Sequence, residues 1–315
     1  MDRKPQNSTA TVVQVQRRLT LTDYTLDDVD LRNFCPVDFD TSCECHGLSQ
    51  TRTGLGQLCK LPVEILTDIL LDLDVPSLLA FRQTSPAAII LVDNLAKYSV
   101  IRQHCPDILR AALGIRAAFF SCNTLYETLT THCCETCNRP GNYLYLITCK
   151  RVCYFCFRGH VDYMPMSSAR AAKCSSLSLK EVRKRLPHVH SIPGRYGGLT
   201  GRKCSSRKLL FDRQAVVEAG VLEQDPAICT VKGDTHDPRR YMAIITIPYL
   251  GRSIQTPVDW GLYCLSCTGS GDPATHFRNH YTAQSILDHI GHHHPGAVLQ
   301  LVPDRNRARP WNFIE

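Results

Sequence analysis

The sequence predicts an α+β protein in which a helical subdomain precedes a small irregular α+β domain. Two observations predict this class. Apolar residues recur at helical spacing over residues 58–130, and from residue 133 the composition changes to cysteine pairs, aromatic residues and β-forming residues. The hydrophobic fraction of 43% and the charged fraction of 21% are those of a globular protein, and 315 residues suffice for two or three modest domains.

Two features of the sequence indicate its compartment. The longest uninterrupted apolar stretch, Ala87–Val92, is far shorter than the roughly 18 residues that cross a membrane. The first residues also lack the apolar core of a secretory signal. We therefore expect a cytoplasmic or nuclear protein. Because thiols stay reduced there, the clusters among its 17 cysteines favour metal binding over a disulfide scaffold.

The two ends of the chain carry little apolar periodicity. Residues 1–57 are rich in Thr, Asp, Gln and Ser, which predicts a disordered N-terminal arm. Residues 301–315 are predicted to be a frayed tail.

Residues 58–130 predict a series of short helices. Pro62 opens the first, where the first helical turn tolerates proline. At about 100° per residue, one arc of this helix carries six apolar side chains, while Leu71 projects from the polar arc. The six are Val63, Ile65, Leu66, Ile69, Leu70 and Leu73. Asp74-Val75-Pro76 ends the helix, and Ser77 or a neighbour is expected to cap the next one.

The same helical segment resembles a known family. Leu61-Pro62-x-Glu64-Ile65, then Ile69-Leu70, then Val75-Pro76-Ser77-Leu78-Leu79-x-Phe81-Arg82-x-x-Ser85 resemble the F-box. With the later HCPDILRAAL and FDRQAVVEAG, the chain is more narrowly similar to fungal F-box proteins that carry cysteine pairs, with gaps from about residue 58 to residue 293.

This resemblance implies a role in ubiquitin ligation. An F-box protein binds a Skp-type adaptor and presents substrates to a cullin complex, so the chain is expected to be a substrate receptor of a Skp/cullin/F-box ligase. The implied adaptor contacts are Leu61, Pro62, Ile65, Leu78, Leu79 and Arg82. We add Leu71, because it lies alone on the polar arc. The alternative is an ordinary helical subdomain whose leucines pack on the helices at 100–130.

Two cysteine pairs predict a zinc-ribbon-like module over residues 131–165. Fifteen residues separate Cys134/Cys137 from Cys153/Cys156, a spacing within the range of four-cysteine zinc sites. Four thiolates leave no open coordination position, so this zinc is expected to be structural. Cys133 or Cys149 could replace one of the four ligands.

A third cysteine pair lies in the predicted C-terminal α+β region, residues 214–300. Cys264/Cys267 precede a predicted helix that ends near His289 and His293, the order of a two-cysteine two-histidine site. The gap of 21 residues between the pairs is longer than the roughly 12 that fingers have. Other histidines could compete as ligands, namely His276, His280, His292 and His294.

The basic charge is concentrated in one stretch. Residues 170–213 hold twelve Lys and Arg residues against Glu181 and Asp212, a local net charge of +10. We interpret residues 166–213 as a basic linker. Nucleic-acid phosphates, or a phosphorylated or acidic degradation motif, are the alternative ligands of this segment.

No nucleophile-elbow, phosphate-loop or metalloprotease motif occurs in the sequence, so we expect a protein that is not an enzyme. In a ligase of this kind the chemistry belongs to other subunits. Two alternative functions remain, a zinc-dependent nucleic-acid-binding regulator that uses residues 170–213 and a structural scaffold.

Overall fold

The computed structural model describes residues 12–17, 23–35, 37, 39, 52–198, 201–220, 235–251, 258–267 and 276–302. The chain divides into a terminal unit, residues 1–22 with 259–315, and a central unit, residues 23–258. It combines short helices with sheets of two or three strands, which confirms the predicted α+β class. In the part of the chain described, no helix is both long and apolar enough to cross a membrane.

The elements follow one another in short segments. The helices are α1 (Val63–Leu71), α2 (Val75–Arg82), α3 (Pro86–Asp93), α4 (Ala96–His104), α5 (Pro106–Ile115), α6 (Cys122–Leu129), α7 (Tyr154–Gly159), α8 (Ser168–Ser175), α9 (Leu179–Arg185), α10 (Arg213–Gly220) and α11 (Ala283–His293). The strands are β1 (Val12–Gln16), β2 (Tyr143–Tyr145), β3 (Lys150–Val152), β4 (Met166–Ser167), β5 (His188–His190), β6 (Gly194–Tyr196), β7 (Arg202–Cys204), β8 (Leu209–Phe211), β9 (Ile244–Thr246), β10 (Tyr263–Cys264) and β11 (Val298–Leu301).

Helices α1–α6 and a three-stranded sheet share the main core of the central unit. The sheet has the order β3-β2-β9 with antiparallel pairing, so Leu144 lies opposite Arg151 and Ile245. Leu144, Leu78 and Leu109 are fully buried in this core. The helices that carry the predicted adaptor contacts are therefore packed on one side.

Side-chain caps set the starts of the second and third helices. The Asp74 carboxylate accepts a hydrogen bond from the Ser77 backbone N–H at 2.9 Å, so Asp74, a neighbour of Ser77, caps α2. Ser85 caps α3 in the same way. Pro76 and Pro86 lie in the first turns, where no intrahelical hydrogen bond is lost.

Part of the arm predicted to be disordered is folded. In the terminal unit, β1 is the middle strand of the order β10-β1-β11, and its alternating pattern buries Val13 and Val15. In the central unit, Leu26 and Leu31 are buried in the main core. The prediction was wrong for these residues because composition does not reveal partners far along the chain. β1 pairs in parallel with residues 298–301.

The predicted basic linker is also folded. Within residues 166–213, strands β4, β8 and β5 form a sheet in the order β4-β8-β5, and β6 pairs with β7. A separate small core includes Ala171, Val182 and Phe211. Apolar residues at helical and strand spacing pack inward while basic side chains such as Arg183 point to solvent, so net charge alone was a poor guide to the fold.

The predicted C-terminal region, residues 214–300, is divided between the two units. Strand β9 belongs to the sheet of the central unit, whereas residues 259–302 belong with β1 to the terminal unit. Of the predicted tail, Leu301 ends β11 and residues 303–315 lie outside the described residues.

Candidate functional site

Helix α1 has an exposed apolar side. It buries Leu66 and Leu70 in the core and leaves Ile65 and Ile69 exposed at 48% and 46%. These two isoleucines are four residues apart, so they are neighbours on the helix surface. Pro62, also exposed, lies on the same side by helical spacing. We call Pro62, Ile65 and Ile69 the α1 outer face.

The other predicted adaptor contacts are less accessible. Leu61 and Leu71 are partly buried against the main core. Leu78 and Leu79 are 0% and 1% exposed, so their predicted role as direct contacts does not agree with their position. Helix α2 is short and packs between other helices, and both leucines are needed to fill that core.

Arg82 is engaged within the helical subdomain. Its Nε and Nη2 donate to the Asp93 carboxylate at 2.7 and 2.8 Å. Both side chains are only 13% exposed. Arg82 therefore connects α2 to α3 in this structure.

Sequence reasoning missed Ile69 as a surface residue. Ile65/Ile69 and Leu66/Leu70 form two parallel ridges at i, i+4 spacing, and the helical periodicity placed both in one apolar arc. A short helix at the edge of the main core buries one ridge only. A second complete apolar ridge on so short a helix was the sequence signal that could have indicated an exposed apolar side.

Four cysteines predicted as zinc ligands come together between β2, β3 and α7. The Sγ atoms of Cys134, Cys137, Cys153 and Cys156 lie within 4.8 Å of one another. The Cys137 and Cys153 sulfurs are 3.5 Å apart. Tetrahedral zinc with Zn–S bonds of about 2.3 Å sets its sulfurs about 3.8 Å apart, so the four thiols can hold a metal ion.

Local backbone geometry forms this cluster. The Asn138 N–H donates to the Cys134 carbonyl at 3.0 Å, and Asn138 adopts a left-handed φ of 58° that closes the first turn. The Glu135 N–H donates to the Arg151 carbonyl at 2.9 Å, which fixes the turn beside β3. Cys153 immediately precedes α7, and Cys156 lies inside its first turn.

Hydrogen bonds and burial shift the pKa values of three cysteines in this cluster. The Cys153 thiol hydrogen-bonds to Cys134, which lowers the pKa of Cys134 to about 4 and raises the pKa of Cys153. Burial raises the pKa of Cys156 to about 12. A metal ion that replaces these protons stabilises the thiolates together.

The two cysteines considered as replacements lie outside the cluster. Cys149 is buried and its Sγ lies 3.6 Å from the Thr128 hydroxyl, with its pKa raised to about 12 by burial. Cys133 forms a β-bridge with Pro140. Neither belongs to a potential metal-binding group in the described part of the chain.

A second possible metal-binding group lies in the terminal unit. It contains Cys264, Cys267 and His289, as predicted, with His294 as the fourth member. His293 was predicted in that place, and the structure does not bring it into the group. Helix α11 ends at His293, and His294 leaves the helix with φ −137° and ψ 58°. His289 and His293 were expected to act as an i, i+4 pair, but the turn after the helix brings His294 into the group.

Two of the other competing histidines make hydrogen-bond contacts outside this group. His280 Nε2 is 3.0 Å from the Trp260 carbonyl oxygen, and His292 Nδ1 is 2.7 Å from the Asp288 carbonyl oxygen. His276 lies in a short 3-10 turn. Neither His280 nor His292 belongs to the potential metal-binding groups of the described residues.

The basic stretch offers no aromatic platform for bases. Tyr196 and Phe211, the two aromatic residues of residues 170–213, are both fully buried. Single-strand binders stack bases on exposed aromatic side chains. The exposed Arg202 and Lys203 border a cavity of about 650 Å³ beside β6 and β7. These two side chains offer positive charge but no aromatic ring on which a base could stack.

Comparison with known families identifies the helical subdomain. The family model of the F-box domain matches residues 58–99, which span α1 to α3 and the beginning of α4. The chain contains an F-box domain. F-box domains generally bind a Skp-type adaptor, and F-box proteins are generally non-catalytic substrate adaptors of ubiquitin ligases. The α1 outer face lies within this F-box.

The family match covers only residues 58–99 of the chain. No curated protein and no solved structure matches the chain. The similarity to fungal F-box proteins and the zinc-ribbon-like character of residues 131–165 stay predictions.

Proposed function

We propose that this protein is a substrate receptor of a Skp/cullin/F-box ubiquitin ligase and that its α1 outer face contacts the Skp-type adaptor. The observation that carries the proposal is the coincidence of an F-box match at residues 58–99 with exposed Ile65 and Ile69. The core beneath is already filled by Leu66 and Leu70. The two isoleucines thus contribute less to the core than Leu66 and Leu70 do.

Burial energetics favour a partner on this face. An apolar side chain of this size gains roughly 1.5–3 kcal/mol when it moves from water into an apolar contact. Ile65 and Ile69 are each about half exposed, so each would gain part of this free energy when a partner covers it. Exposed Asp68 and Asp72 follow on the neighbouring side of α1 and give the contact a polar border.

The receptor acts by proximity. An F-box protein joined to the adaptor and cullin complex holds its substrate near the charged conjugating enzyme, which raises the local concentration of substrate lysines. The transfer chemistry belongs to other subunits, so the chain itself is non-catalytic in this proposal. We further propose that it acts in the cytoplasm or nucleus, which microscopy of a fluorescently tagged full chain would test.

The four-cysteine cluster has a structural role in the proposal. The donor set of four thiols suits zinc, and it leaves no position for a substrate. Cys134, Cys137, Cys153 and Cys156 would hold the ion, and the ion would stabilise the turns on either side of β2 and β3.

A binding experiment tests the adaptor contact. The purified full chain is mixed with a Skp-type adaptor, and capture is compared for wild type, Ile65→Ser/Ile69→Ser and Leu61→Ala/Pro62→Ala. Leu179→Ser is the matched control, since Leu179 is 40% exposed and lies outside the F-box. Stoichiometric capture by wild type and the control, with loss in Ile65→Ser/Ile69→Ser, supports the proposal.

Two other results would favour the alternative functions. Failure of the well-folded wild type to bind the adaptor overturns the ligase function and leaves the scaffold alternative. Salt-sensitive binding of labelled DNA or RNA by that same protein favours the nucleic-acid alternative.

A further inference from the structure

We propose that Cys264, Cys267, His289 and His294 hold a zinc ion that fastens the N-terminal strand β1 into the terminal unit. Zinc at the four-cysteine cluster is a separate matter, because this group lies in the other unit of the chain. The inference stands independently of the F-box function.

The distances within the group are those of a coordination shell. His294 Nε2 lies 3.3 Å from Cys267 Sγ and 3.6 Å from Cys264 Sγ. His289 Nε2 lies 3.4 Å from Cys267 Sγ. With Zn–S bonds of about 2.3 Å and Zn–N bonds of about 2.0 Å, tetrahedral geometry sets sulfur and nitrogen about 3.5 Å apart. The side chains already converge on one point.

Three of the four side chains are buried, which agrees with a metal better than with solvated histidines. Cys264, Cys267 and His289 are only 1%, 4% and 6% exposed. Two thiols and two imidazoles in a small apolar core match the borderline-soft character of zinc, whereas magnesium and calcium prefer oxygen ligands.

An outer residue orients one of the ligands. The Tyr281 hydroxyl lies 3.2 Å from His289 Nδ1. If Nδ1 carries the proton and donates to Tyr281, Nε2 is left unprotonated toward Cys267, as a metal ligand requires. Tyr281 is held in place by backbone hydrogen bonds with Leu262, next to β10.

The helix end explains why His294 and not His293 takes part. His293 is the last residue of α11 and is exposed, and its ring lies 4.7 Å from the His289 ring. The His294 N–H still donates to the Ile290 carbonyl at 2.8 Å, but its backbone has left helical geometry. This turn directs the His294 ring to the two cysteines.

The cysteine turn is joined directly to β1. Val15 lies opposite Cys264 in antiparallel register, and the Gln14 N–H donates to the Ser266 hydroxyl, between the two cysteines, at 3.2 Å. Val13 and Val15 are buried in the same small core as Cys264 and Cys267. A core of this size seldom folds without a metal or disulfide, so loss of the ion should release β1.

Metal content of the full chain tests the ligand set. We expect about two zinc ions per wild-type chain, one for each four-ligand group, and about one in His294→Ala. His293→Ala is the matched control and should keep both. His294→Cys should also keep both, because a cysteine can ligate zinc where a merely packed residue could not. Loss of zinc in His293→Ala, or full zinc in His294→Ala, overturns the proposed ligands.

Hydrogen exchange tests the attachment of β1. We expect the amides of residues 12–16 to exchange at least about tenfold faster in His294→Ala than in wild type or His293→Ala. Brief chelation of the wild type should give the same increase, which guards against a folding defect of the variant. Unchanged protection of β1 after the zinc of this group is lost overturns its fastening role.

Discussion

Arg82 and Asp93 form a bidentate ion pair between α2 and α3, with N–O distances of 2.7 and 2.8 Å. Arg102 Nη1 reaches the same carboxylate at 3.1 Å, so α4 is joined to the pair as well. The F-box resemblance assigned Arg82 to the adaptor contact. In this structure Arg82 joins three helices of the F-box through Asp93, and its adaptor contact stays a prediction.

Removal of the shared carboxylate should weaken the F-box. Asp93→Ala removes the carboxylate that two largely buried guanidinium groups contact, and we expect a loss of about 1.5–3 kcal/mol in the free energy of unfolding. Urea unfolding of the full chain measures the change. Asp72→Ala, at the exposed position just after α1, is the control and should change stability by less than about 0.5 kcal/mol. Equal effects of the two variants would show that the pair contributes little.

The two ridges of α1 should respond differently to truncation. Leu66 is 5% exposed, so Leu66→Ala leaves a cavity, and we expect a loss of about 2–5 kcal/mol. Ile65→Ala removes a half-exposed side chain and should cost about 1 kcal/mol or less while weakening adaptor capture. Urea unfolding and adaptor binding measured side by side check this assignment. A larger stability loss for Ile65→Ala would reverse the assigned faces.

The four-cysteine cluster should depend on its own ligands. Cys153→Ser removes a sulfur from the centre of the group, so we expect the loss of about one zinc ion per chain. The control is Cys149→Ser, which changes a nearby buried thiol outside the group. Elemental analysis of both proteins measures the difference. Equal loss of zinc in the two variants would indicate general unfolding rather than ligation.

Patterns of short range were predictable from the sequence. The spacing of Cys134, Cys137, Cys153 and Cys156 predicted a cluster because two intervening residues let both thiols of a pair face one point. Helical periodicity likewise predicted the F-box helices. Relationships over long range were not predictable in this way. Val15 lies opposite Cys264, and nothing in the composition of the first residues indicates that pairing.

Other errors came from local geometry that periodicity cannot show. His294 replaces His293 because a helix end changes the direction of the next side chain. Leu78 and Leu79 are buried because their helix packs against α3 and α5, although a family pattern marks them as contacts. The basic charge of residues 170–213 led to the prediction of a linker, although Val182 and Phe211 belong to a small core in this segment.

The folded basic segment should make stability sensitive to mild acid through His190. Burial, followed by the nearby Arg116, lowers the pKa of His190 in strand β5. The unfolded chain, with a His pKa of about 6.5, therefore binds a proton more readily than the folded chain does. Protons favour unfolding in this case, so the stability contribution is complete above about pH 6.5 and is lost as the pH falls below it.

Urea unfolding midpoints measured between pH 7.5 and pH 5 (about the range in which histidine titrates) check this effect. We expect the midpoint to fall with pH in wild type and to fall less in His190→Asn, which cannot take up the proton. His292→Gln, changed at an exposed position of the terminal unit, should keep the slope of the wild type. An unchanged slope in His190→Asn would assign the acid sensitivity to other groups, such as His104, whose pKa burial also lowers.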